Sequence, residues 1–212
     1  MNDELAVGRT VEGTTPAIDS SSVLLVRDGE CGLELFMLER HIETDFAGGA
    51  LVFPGGKVEE QDRGLSDVRW RGADLGQAAD DLGVDSEQDA LGLLVAAVRE
   101  TFEEAGILLG TRGGQPVTGD DLADDTFVEA RRRLNDRSDG WDWRGWLDEQ
   151  ELILDLGHLA FFSWWATPDG LHRRYDTRFF VVPAPPEQTA ALAHDEVETT
   201  ASRWLRPAEA LS

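Results

Sequence analysis

The segment Ser86–Gly106 constrains this chain more than any other. Leu91, Leu94, Val95, Val98, Phe102 and Ala105 recur at helical spacing, and Gly106 follows as a stop signal. The spacing predicts one long amphipathic helix with a full apolar stripe. Such a stripe must be buried against a second layer. Strand-like segments lie on both sides of it. Ser20–Arg27 and Leu33–Arg40 read as a hairpin across a Gly-containing acidic turn, and Ala50–Phe53 as a brief strand that stops at Pro54-Gly55-Gly56. Thr126–Leu134 and Trp143–Gln150 read as helices. Leu159–Ala166, Arg178–Val182 and Ala201–Leu205 read as strands, and Pro207–Leu211 as the start of a short helix. Strands around one strong helix predict an α+β domain, a layered α/β/α sandwich with a mixed sheet. The whole of residues 1–212 reads as a single domain, with residues 1–19 a loose polar arm and residues 111–125 a loop.

The other face of the same helix carries chemistry. At about 100° per residue, Glu100, Glu103 and Glu104 fall within roughly a 100° arc opposite the apolar stripe. Like charges at these spacings oppose helix formation by a few tenths of a kcal/mol per exposed pair, roughly, and by more in a cleft. A hard divalent cation with oxygen ligands removes that repulsion. An acidic protein can also carry such a cluster as an ordinary solvated face, and the helix alone does not separate the two readings.

Here composition matters. The net charge is −23 and Lys57 is the only lysine. So acidic a chain repels phosphate backbones, which argues against nucleic acid as a partner. A small phosphorylated substrate is repelled too, unless a bound cation inverts the local field. Cys31 is the only cysteine, so no disulfide framework exists and a reducing compartment is expected. The first residues show neither a basic n-region nor an apolar h-region, and no apolar run is long enough to span a bilayer. The expectation is a soluble, cytoplasmic chain.

Upstream of the helix, Gly55-Gly56-Lys57-Val58-Glu59-Glu60-Gln61-Asp62 places Asp62 after Gly56 with five residues between them. Together with Arg99, Glu100, Glu103, Glu104, Gly106 and Ile107, this pattern resembles the box of the Nudix hydrolase family, G-x5-E-x7-R-E-U-x-E-E-x-G-U, where U is bulky and apolar. Asp62 stands where the family has Glu, and Thr101 occupies a U position. Between Asp62 and Arg99 lie 36 residues where the box has seven. One branch of the family, containing the peroxisomal coenzyme A diphosphatases, carries such an insertion. Val52–Val58, Arg99–Leu109, Trp165-Ala166-Thr167-Pro168 and Tyr175–Phe180 are similar to that branch, and Thr101 fits its pattern.

The resemblance implies a diphosphate-cleaving hydrolase dependent on Mg²⁺ or Mn²⁺. It implies Arg99, Glu100, Glu103 and Glu104 as catalytic residues, with Glu100, Glu103, Glu104 and the carbonyl of Gly55 as metal ligands. Coenzyme A or acyl-coenzyme A is the substrate the branch points to; NADH, ADP-ribose and dinucleoside polyphosphates compete. A different class, a Nudix-fold module that binds a nucleotide or a protein without turnover, would be expected to lose helix glutamates that are all present here. Asp62 alone favours it.

The acidic segment 63–85, the insertion, is expected to project from the domain between the glycine loop and the helix, to border the substrate cleft and to be mobile. Other residues invite roles that are equally well explained otherwise. Arg40, His41, Arg173, Arg174 and Arg178 can reach a phosphate or serve as surface or ion-paired cations. Glu196 and Glu198 lie where the family often places an extra glutamate. His158, His172 and His194 lack metal-ligand spacing. The many Trp residues, including Trp164, Trp165 and Trp204, can stack a base, although core packing is the plainer reading for most of them. Gly48-Gly49 lacks the Lys-Ser/Thr ending of a phosphate loop.

Overall fold

The computed structural model describes residues 15–40, 50–136, 140–189 and 199–211. His41, Gly48, Gly49, His194, Glu196, Glu198, most of the 1–19 arm and the side chain of Arg40 lie outside the described residues. Ile18 and Asp19, assigned to that arm, instead begin the first strand.

In chain order, β1 (Ile18–Gly29) turns into β2 (Gly32–Arg40), followed by β3 (Leu51–Val52), β4 (Gly55–Lys57) and the single turn α1 (Glu60–Arg63). β5 (Trp70–Arg71) and α2 (Leu75–Leu82) precede the long helix α3 (Glu87–Glu100). Beyond it come the hairpin β6 (Gly110–Arg112) and β7 (Gln115–Pro116), then α4 (Gly119–Leu122), α5 (Asp125–Asn135) and α6 (Trp143–Glu149). β8 (Leu152–Asp155), β9 (Ala160–Ala166), β10 (Tyr175–Pro183), β11 (Thr199–Leu205) and α7 (Pro207–Ala210) follow, and short 3-10 turns lie at Asp67–Arg69 and Leu156–His158.

The strands form two sheets. The larger runs β11-β2-β1-β10-β9, with β3 on β2 and β4 on β1; β1 and β10 pair in parallel, so the sheet is mixed as expected. The smaller runs β5-β8-β6-β7. Helix α3 packs on β1 and β4 of the larger sheet and is flanked by α1 and α2. Its start is capped by Ser86, whose hydroxyl accepts from the N–H of Asp89 at 3.1 Å.

Several expectations need correction. Gly55–Gly56 does not merely break a strand. It forms β4, which pairs antiparallel with Ser20–Ser22. The presumed loop 111–125 contains the β6–β7 hairpin, whose turn uses positive φ at Gly113 (55°) and Gly114 (83°), and then α4. β8 was not expected at all, because Leu152–Asp155 is too short to show alternation against its surroundings.

The insertion is not a loose projection. Leu65 and Leu82 are buried in the core, and Trp70 packs against it. The Asp74 side chain accepts from the N–H of Gln77, and Gly83 ends α2 in the left-handed region. Its apolar residues are few and irregularly spaced, so they give no periodic signal although individual side chains reach the core.

The long helix also differs from its ideal. It is α-helical to Glu100, and Thr101–Ala105 then form a π-helical turn closed by Gly106 at φ 72°. No solvent-facing carboxylate side exists: every residue from Ala90 to Ala105 is buried. Phe102 anchors the π turn, stacking on Trp146 at 5.7 Å and meeting Phe127 edge-on at 6.4 Å.

Candidate active site

Arg99 is the hub of the site. Its Nε and Nη2 donate to the two carboxylate oxygens of Asp62 at 2.9 and 3.0 Å. Its Nη1 donates to Glu100 Oε1 at 2.9 Å and to Glu103 Oε2 at 3.2 Å, and its Nη2 also to the carbonyl of Lys57 at 3.0 Å. A planar guanidinium suits this because its five donors lie in a fixed fork. Burial alone would push the guanidinium pKa down. The charges of Glu100, Asp62 and Glu103 outweigh burial and hold it well above its ordinary value.

The glycine loop meets the helix end directly. The N–H of Gly55 donates to Glu104 Oε2 at 2.8 Å. A Cβ on Gly56 would lie 2.4 Å from Glu100 Oε1, and one on Gly55 would lie 2.4 Å from the carbonyl of Ser21. Glycine is required at both positions for this close approach.

Asp62, at the position of the family's glutamate, is tied into the cluster. It grips Arg99 with two parallel bonds and also accepts from the N–H of Glu59 at 2.8 Å, which caps α1. The one residue that favoured a non-catalytic reading is built into the site.

Asp62, Arg99, Glu100, Glu103 and Glu104 are 0, 2, 2, 4 and 5% exposed. Three buried carboxylates, those of Asp62, Glu100 and Glu103, thus share one buried guanidinium, and Glu104 is held by the Gly55 N–H beside them. Among the described residues no three acidic or histidine side chains converge in metal-ligand geometry as they stand. The carboxylates are turned onto Arg99 and Gly55 instead. Their chemistry nevertheless fits a hard dication: oxygen donors only, in excess of positive charge, on one helix end.

These groups adjoin a cavity of about 230 Å³ whose walls include Lys57, Glu59, Gln61, Glu100, Glu103 and Arg133. Burial raises the pKa of Glu59, but the charge of Arg99 and bonds from Gln61 and Lys57 bring it below the ordinary carboxylate value. Glu59 is therefore ionised at neutral pH. Lys57 Nζ lies 3.3 Å from it. A larger cavity of about 690 Å³ lies behind the π turn, between Phe102, Leu122, Phe127 and Val128. Its walls are mainly apolar, whereas Arg99, Glu100 and Glu103 line the smaller one.

Other residues singled out from the sequence sit elsewhere. Arg178 is buried, donating to the carbonyl of Leu82 at 2.9 Å, paired with Asp176 and placed 4.2 Å over the Trp164 ring. Arg174 is paired with Asp169 at 2.7 Å. Both hold strands and loops together, so neither waits for a phosphate; Arg173 is exposed. His158 and His172 are exposed, and His158 lies 3.8 Å from the carboxylate of Asp155. Core packing holds for Trp143 and Trp146 and in part for Trp204, which packs on Phe36. It fails for Trp164 and Trp165, which are 53 and 70% exposed on β9. Sequence reasoning missed Glu59, Gln61 and Arg133, since nothing in their spacing marks them.

Residues 77–212 match the family model described as the NUDT19 Nudix domain. The chain belongs to the Nudix family. This Nudix chain is 31% identical over 224 residues to a Gallus gallus protein named acyl-coenzyme A diphosphatase NUDT19, covering 86% of this chain and 56% of the relative. It is 29% identical to the Homo sapiens protein of that name, covering 84% of this chain and 55% of the relative. The chain thus spans about half the length of the curated relatives it matches. Among solved structures, a Nudix hydrolase from Alicyclobacillus acidocaldarius superposes with a TM-score of 0.61 at 27% identity, covering 91% of this chain and 80% of that one. The Nudix α+β sandwich expected from the sequence is therefore the fold observed. No helix among the described residues is long and apolar enough to cross a membrane.

Proposed function

We propose that this chain hydrolyses the diphosphate linkage of coenzyme A or an acyl-coenzyme A in the presence of Mg²⁺ or Mn²⁺, yielding 3′,5′-ADP and a phosphopantetheine product. The observation that carries the reading is the Arg99-centred cluster of Asp62, Glu100 and Glu103, joined by Glu104 to the Gly55-Gly56 loop. The names of the relatives support the choice of substrate. The lone cysteine supports a reducing, cytoplasmic setting.

Glu100, Glu103, Glu104 and the Gly55 carbonyl are the groups that would hold the metal. When bound, such an ion neutralises charge on the diphosphate and lowers the pKa of a water nucleophile. The chain's own residues supply position. Arg99 fixes the directions of Glu100 and Glu103, and the glycines of β4 let the loop lie against Glu100 and Glu104 without a Cβ in the way. Diphosphate hydrolysis needs chiefly such placement and charge neutralisation.

The test compares kcat/KM for coenzyme A, acyl-coenzyme A, NADH and ADP-ribose with Mg²⁺ or Mn²⁺. Preference for the coenzyme A compounds is expected. Preference for NADH or ADP-ribose removes the substrate assignment, and no divalent-dependent turnover of any of the four contradicts the activity itself.

A further inference from the structure

The π turn that carries Glu103 and Glu104 has a main-chain problem. In a continuing α-helix their carbonyls would accept from the N–H groups of Ile107 and Leu108. Those donors go elsewhere: Ile107 to the carbonyl of Thr101 at 3.4 Å, and Leu108 to Oε1 of buried Gln188 at 3.1 Å. A side chain from α5 takes their place. Arg131 Nε donates to the carbonyl of Glu103 and its Nη2 to the carbonyl of Glu104, both at 2.9 Å. Asn135 Nδ2 adds a longer contact to the carbonyl of Glu103 at 3.4 Å. A guanidinium here also meets the negative end of the helix dipole.

Each of the two glutamates is thereby held at both ends. Arg131 holds the peptide groups, while Arg99 and the Gly55 N–H hold the carboxylates. We propose that Arg131 is a positioning residue for Glu103 and Glu104, fixing the turn from which they reach a metal; this rests on the metal-dependent reading above. Arg131 reaches this turn through the carbonyls of Glu103 and Glu104, so its effect on the site passes through the placement of those two residues. Partners that orient metal ligands typically contribute about 10–100-fold to metal affinity or activity.

The experiment measures Mn²⁺ binding to the substrate-free protein by electron paramagnetic resonance, beside steady-state turnover and thermal melting, for wild type, Arg131→Ala and Arg131→Lys. Arg131→Ala is expected to weaken Mn²⁺ binding and lower kcat by about 10–100-fold, with KM little changed. Added guanidinium ion in the low millimolar range should restore part of both. Arg131→Lys, whose ammonium lacks the fork that reaches both carbonyls, should fall between, and it keeps the question open to test if the alanine variant does not fold. Wild-type Mn²⁺ affinity and kcat in either variant overturn the proposal alone. Absence of Mn²⁺ binding by the wild-type protein overturns the metal reading and the proposal together.

Discussion

The N–H of Gly55 and the carboxylate of Glu104, 49 positions apart in the chain, are joined by a hydrogen bond of 2.8 Å. It joins the glycine loop directly to the end of the long helix. Its neighbour Gly56 lies so close to Glu100 that an added methyl would sit 2.4 Å from the carboxylate. Gly56→Ala should therefore displace Glu100 and lower kcat by about tenfold or more, on the scale of a misplaced catalytic group. Melting temperature and kcat measured together check this; unchanged kcat in a folded variant contradicts it.

Asp62 stands where the family has glutamate, and restoring glutamate should not help. Asp62 is fully buried, bonded twice to Arg99 and once to the N–H of Glu59. An extra methylene there overpacks the site, at a cost of about 1–3 kcal/mol. Asp62→Glu is expected to lower Tm by several degrees in a thermal melt. A variant as stable as wild type would show that the pocket accommodates either length.

Arg99→Lys should be severe for the opposite reason. A single ammonium cannot replace a fork that binds Asp62, Glu100 and Glu103 together, and leaving buried carboxylates without it costs about 3–5 kcal/mol. Denaturant unfolding reads the loss directly. A loss below about 1 kcal/mol, the range of exposed pairs, would mean that the cluster is wetter than its geometry implies.

Asp89 gives a pH signature outside the site. Hydrogen bonds from Ser86 and Arg63 hold its carboxyl below the ordinary value, against a smaller opposing effect of burial. A carboxyl lowered on folding stabilises the protein above its unfolded pKa. That stability is lost as pH falls through the folded value. The stability difference between wild type and Asp89→Asn should thus be constant near neutral pH and shrink below about pH 4. It should be modest, at most about 1 kcal/mol, because the pair is partly solvated. A difference that grows on acidification contradicts this.

The legible parts of the sequence were those where one residue type serves one purpose. The apolar stripe ending at Gly106 marked the helix, and Arg99 with three glutamates marked the site. What stayed hidden depends on tertiary context. The π turn has no local signature, because Thr101–Ala105 would suit an α-helix equally well. Arg131 reads as one of three consecutive arginines on a surface helix, and only the fold brings it to the carbonyls of Glu103 and Glu104. Leu65 and Leu82 are too widely spaced to announce that the insertion is anchored. The acidity that suggested a solvated face was misleading, since these carboxylates are buried around Arg99.

The central claim is that buried carboxylates at the end of one helix support divalent-dependent cleavage of a diphosphate. The most direct measurement is kcat for acyl-coenzyme A with saturating Mg²⁺ or Mn²⁺ in wild type and in the double variant Glu103→Gln/Glu104→Gln. Glutamine keeps the shape and removes the charge. The account predicts a loss of about three orders of magnitude or more, as expected when groups that neutralise transition-state charge are removed, with the melting temperature largely kept. Near-wild-type turnover in the double variant would contradict it.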